Sequence, residues 1–183
     1  MKWTFPLAVL VLAAAAVGGW QARQYYPAAA VPRDEGVRPV ESRPSHDGSG
    51  IEFSADAAAH PDQSTVRWLL TTYFDAINFR RYDTWKSTVA PSKWSELPHD
   101  KWMQEYQSTH DSDVVVQRIE QSSDGSLRVM LTFDSHQDPQ DAPPQLPEPC
   151  VRWSVIYSLV PDSGGLRLDT TRLPGSALVA RCT

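Results

Sequence analysis

Asp134 and His136, two positions apart in "TFDSH", are the pair in this chain best suited to acid–base chemistry. A carboxylate beside an imidazole can hold and relay a proton near neutral pH. His110-Asp111 repeats the combination at adjacent positions, and Tyr73, Asp75 and Tyr82 put further ionisable groups in one short stretch. Each has a plainer reading. Asp134 and His136 border the Pro-rich run "SHQDPQDAPPQLPEP", where polar side chains are ordinarily solvated, whereas a catalytic pair needs a cleft and burial. No catalytic residue is therefore expected. His99 and His110 have no second ligand pair at metal-binding spacing, so no metal is expected. Neither a glycine-rich phosphate loop nor a Gly-x-Ser-x-Gly elbow occurs, and no cofactor is expected. Cys150 and Cys182 are the only cysteines, without CxxC spacing. They read as a structural disulfide in an oxidising compartment, the alternative being two unpaired buried thiols.

The aromatic residues offer a second chemistry. Trp68, Tyr73, Phe74, Trp85, Trp102 and Tyr106 could line a hydrophobic ligand pocket. If such a pocket exists, its candidates are Tyr73, Phe74, Ile77, Trp85 and Trp102. A helical stripe of this kind is more often core, and filling of the interior is the expectation. Arg80-Arg81 reads as a solvated helix end.

These side chains must be positioned by regular elements. Val66, Leu69, Leu70, Tyr73, Phe74 and Ile77 fall at the spacing of an amphipathic helix, with Asp62 or Ser64 as its cap. Tyr82, Trp85 and Val89 predict a shorter helix ending before Pro91. "LPHDKWMQEYQS" predicts a third, capped by Asp100, with Trp102, Met103 and Tyr106 inward. From Asp113 the period changes to two. "DVVVQRIEQ" and "LRVMLTFD" read as strands joined by a hairpin turn at Asp124-Gly125. "CVRWSVIYSLV" is a third strand, turned by "PDSGG" into "LRLDTTRL", and "ALVARC" adds a short last one. Helices followed by an antiparallel meander make an α+β domain. If the last hairpin centres on Ser163, Cys150 lies at the end away from the turn. The tail bends back at Pro174-Gly175 and brings Cys182 within reach of it.

The net charge of −5 excludes a general nucleic-acid-binding surface. The charge-free run from Trp3 to Trp20 reads as a membrane anchor, with interfacial tryptophans at both ends. The alternative is a signal peptide cut near Ala16-Val17-Gly18, giving a secreted protein. A Pro-rich linker poor in aliphatics follows, within which "IEFSADAAA" is a segment that docks transiently. The expected organisation is thus an anchor or signal over residues 1–20, a disordered linker over 21–61 and a folded domain over 62–183. The domain is expected outside the cytoplasm on a single-pass tether.

The helix "YFDAINFRRYDTW", then "STVAPS", then two hairpins ending in "RWSVIYSLV-turn-LRLD", resembles the nuclear transport factor 2-like, cone-fold superfamily. The resemblance implies a curved antiparallel sheet wrapping the long helix. A membrane-anchored extracytoplasmic version is similar to bacterial accessory proteins that use the fold without catalysis. The expected role is an accessory or scaffold subunit with a protein partner in an envelope transport or secretion assembly. The alternatives are a binding module for a small apolar ligand and, third, an isomerase- or dehydratase-type enzyme.

Overall fold

The structure, a computed structural model, describes residues 50–170, 173 and 175–182. The expected anchor and the expected linker as far as residue 49 lie outside them. The rest of that linker belongs to the fold. Glu52–Phe53 form a short strand, β1, and Ala55–Ala58 a single helical turn, α1. The Ser54 hydroxyl accepts from Ala57 N–H at 3.1 Å and donates to Gln117 O at 2.6 Å. This cap starts the turn and pins it to the sheet. Ile51 and Ala57 are buried there. Sparse aliphatics hid this segment, which contributes only two small anchors.

The predicted long helix is α2, Gln63–Asn78, with Val66, Leu69, Leu70, Tyr73, Phe74 and Ile77 all buried. It ends in a paired closure: Arg81 N–H donates to Ala76 O at 2.8 Å and Arg80 N–H to Ile77 O at 3.1 Å. Arg80 takes the left-handed position at φ 55° that glycine usually fills. An arginine stands there because its guanidinium is used. It donates to the carbonyl of Ile77, to Gln107 O at 3.0 Å and to Thr109 O at 2.7 Å. Arg81 is exposed as expected for a solvated helix end; Arg80 is a staple between that end and the chain leading into the sheet.

The second and third predicted helices are α3, Tyr82–Thr88, and α5, His99–Glu105. Asp100 lies in the first turn of α5, with Pro98 at the cap position. Between them Pro91 opens an unpredicted short helix, α4, Ser92–Glu96. Its Lys93 is buried and pairs with Glu96 at 2.9 Å and Asp169 at 3.3 Å.

The remaining strands are β2 His110–Gln121, β3 Leu127–His136, β4 Cys150–Asp162, β5 Gly165–Asp169 and β6 Leu178–Arg181. They form a six-stranded mixed sheet in the order β1-β2-β3-β4-β5, with β6 on the same edge of β4 as β5 but further along it. Among the described strands the β1–β2 pair alone is parallel, and an isolated parallel bridge joins Val89 to Leu168. The hairpin turn falls at Asp124-Gly125, where Gly125 has φ 79°. Leu127, Val129, Leu131 and Phe133 of β3 face one core with α2. The β4–β5 hairpin pairs Ser158 with Asp169 and Asp162 with Gly165, as the turn "PDSGG" predicted. Cys150 and Cys182 are joined, with Cα atoms 5.6 Å apart.

Strand β2 departs from simple alternation. Its register against β3 slips by one residue between Ser112 and Val115 and again between Val116 and Arg118. Asp113, inside the first bulge, has φ 51°. The buried positions therefore run Asp111, Val114, Val116, Ile119 and not every second residue.

Candidate functional site

Helix α2 and the sheet do not close completely on each other. Between them lies a cavity of about 490 Å³, within the range that holds small molecules. Tyr73, Phe74 and Ile77 of α2 form one wall, and Phe133, Trp153, Val155 and Tyr157 of β3 and β4 form the other. The rim is built by Glu105 and Tyr106 at the end of α5, the loop from Asp141 to Gln145, and Ala177 just before β6. The strand register explains the sheet wall, since Phe133 pairs with Trp153 and Leu131 with Val155 on one face.

The rings make a continuous surface. Trp153 stacks on Phe133 at 6.2 Å between centroids, Phe133 meets Phe74 edge-on at 5.1 Å, and Phe74 meets Tyr73 at 5.3 Å. Tyr73 meets Tyr157 at 6.1 Å. Polar atoms gather at one end. The Tyr73 phenol interacts with those of both Tyr106 and Tyr157. Burial raises the pKa of all three phenols, and the nearby Asp111 carboxylate raises each further.

Asp111 is the charged group of this end. It is 7% exposed. Its backbone is clamped by Asn78, which donates to Asp111 O at 2.8 Å and accepts from Asp111 N–H at 2.7 Å. The β2–β3 register sets it opposite Ser135, whose side chain acts to lower its pKa. Among the described residues no group reaches the buried Oδ1 atom. Burial raises the Asp111 pKa to about 6, with the Ser135 hydrogen bond and then the Arg80 charge pulling the other way.

A stability signature follows. An Asp with a raised folded-state pKa adds stability that is fully present below its ordinary value of 3.8 and lost as pH rises to about 6. The full penalty is about 3 kcal/mol. Asp111→Asn is thus expected to raise the melting temperature near neutral pH and to leave it unchanged in acid below the ordinary aspartate range. Melting curves of both proteins across pH check this. Parallel curves at every pH would remove the buried charge from the account.

The sequence-derived residues divide. Tyr73, Phe74 and Ile77 line the cavity. Trp85 and Trp102 do not; they pack with Tyr82 in a separate cluster under α3 and α5, with centroids 5.5–5.8 Å apart. The interior expected to be filled by α2 aromatics is filled on that side and open on the other. Asp134 and His136 lie on the opposite sheet face from Phe133 and Ser135. The Asp134 carboxylate accepts two bonds from Arg152 at 2.6 Å, and His136 Nε2 sits 3.5 Å from Cys150 Sγ. Asp134, Cys150 and Cys182 cluster closely, but the disulfide removes both thiolates as metal ligands. Ser135, Trp153 and Tyr157 were not singled out from sequence. The signal for the last two was their shared face on β4; Asp111 stood out only as the neighbour of His110, and the bulge hides its inward phase. No family model, no curated protein and no solved structure matches the chain.

Proposed function

We propose that this is an extracytoplasmic, membrane-tethered accessory domain that binds a small, mostly apolar ligand in the cavity between α2 and the sheet. The observation that carries the reading is Asp111: a buried carboxylate oxygen without a partner among the described residues, at the polar end of an aromatic-walled space. Burying such a group costs free energy, and a ligand supplying a hydrogen-bond donor would recover it. The order of helices followed by a meander supports the cone-type resemblance. The Cys150–Cys182 bond supports an oxidising compartment.

Titration with N-phenylnaphthylamine, a neutral fluorescent probe, tests the reading. Saturable one-to-one binding is expected, quenching Trp153 in the wall. Val155→Trp fills the space from the sheet side and is expected to abolish binding while leaving the circular dichroism spectrum intact. Absence of saturable binding, or binding indifferent to Val155→Trp, would overturn it.

A further inference from the structure

The chemistry of the lining narrows the ligand class, an inference that rests on the binding function proposed above. Glu105, Asp111 and Asp141 are the charged residues that line the cavity, and all three are acidic. Asp141 sits at the rim as a carboxylate held by Ser108 Oγ at 2.6 Å and Gln107 Nε2 at 3.0 Å. The cation nearest Asp111, Arg80, is not part of the lining and spends its donors on backbone carbonyls. An anionic head would meet this field unfavourably. A neutral head would leave it unused. The five-ring wall adds electron-rich faces that attract cations.

We propose that the natural ligand is an apolar primary amine, bound as its ammonium, with N–H donated to Asp111 Oδ1 and the hydrocarbon part laid along Trp153, Phe133 and Phe74. A primary ammonium has three donors. One meets Asp111, and the lone pairs of the phenols that line the same end can take another. A quaternary ammonium has no donor for the orphaned oxygen, which is why the assignment is to a primary amine. The full set of groups around Asp111 is Arg80, Ser135, Glu105, Asp141 and the phenols Tyr73, Tyr106 and Tyr157. Burial places the charge change of Asp111 at about 6. Amine binding should therefore strengthen as Asp111 ionises and should release a proton where it is still protonated.

The test uses three probes with one ring system: naphthalenemethylamine, naphthalenemethanol and naphthoic acid, titrated by calorimetry into the protein. The amine is expected to bind at least about tenfold more tightly than the alcohol, and the acid most weakly. Amine affinity should fall about tenfold between about pH 7 and about pH 5, because a primary ammonium stays charged while Asp111 takes up its proton. Alcohol affinity should stay nearly level. Asp111→Asn should erase both the amine preference and the pH dependence, and Glu105→Gln should only soften the preference. Equal binding of amine and alcohol, or preference for the acid, would overturn the amine assignment while leaving the binding function standing. Failure of all three probes to bind would overturn both. Should Asp111→Asn not fold, the pH dependence of the unaltered protein alone decides the matter.

Discussion

Trp102→Ala lowers the stability of the domain by about 3–5 kcal/mol. Against a typical total of about 5–15 kcal/mol this is a large share. Trp102 is fully buried. It holds three rings together, with centroids at 5.5 Å from Tyr82, 5.8 Å from Trp85 and 5.4 Å from Tyr106. Its indole N–H has no partner among the described residues, so truncation removes packing and leaves no carbonyl unpaired. Trp102→Phe should for the same reason cost distinctly less. The effect reaches the cavity through Tyr106, which leans on Trp102 and lines the cavity with Tyr73, so apolar-probe affinity should drop in the alanine variant. Denaturant unfolding checks the first point and probe titration the second. A loss under about 1 kcal/mol would mean that the cluster is not part of the cooperative core.

Replacing both Cys150 and Cys182 by alanine should cost about 3–4 kcal/mol, the chain-entropy expectation for a closed loop with a sequence separation of 32. The loop holds β5 and β6, and β6 pairs Val151 with Arg181 through Ser154 with Leu178. This strand is short and exposed, with little apolar burial to keep it in place. A reducing agent should lower the melting temperature of the natural protein to that of the double variant and leave the variant unmoved. A parent insensitive to reductant would show that the bond does not contribute. Because Ala177 at the cavity rim immediately precedes β6, reduction should also weaken probe binding.

How far the sequence carried the fold depends on the physics of each element. Val66 to Ile77 repeat at helical spacing over about three turns, and the signal survives intact. The "LRVMLTFD" strand alternates cleanly because β3 is flanked on both sides and has one face on the core. The pairing of Cys150 with Cys182 was legible because hairpin arithmetic around Ser163 fixes which end of β4 the tail must reach. The segment around Ala57 was not legible, since a single turn held by one serine cap leaves no period to detect. The site was half legible. Tyr73, Phe74 and Ile77 were in view, but residues on one helix face can go to core or cavity, and only the sheet opposite decides. Trp85 and Trp102 belong to the side where α3 and α5 close over the helix. Asp111 was obscured because alternation counts residues and cannot register an extra one. Arg80 was obscured because its purpose lies in carbonyls 27 and 29 residues away.

The bulge at Asp113 has a consequence for how this domain can change over time. If the strand were regular back from Val114, Ser112 would point inward and Asp111 outward. The identity of the inward group thus depends on a left-handed backbone at a residue whose own side chain is exposed and lines no wall of the cavity. A β-branched residue at position 113 disfavours that conformation. It would push the strand toward the regular form, trading an acid for an alcohol without a substitution at any lining position. The Asn78 clamp on the Asp111 backbone opposes the trade. Under the proposed binding function, ligand preference is therefore heritable through strand phase as well as through side chains, and two descendants with no substitution at a cavity position can differ in what they hold.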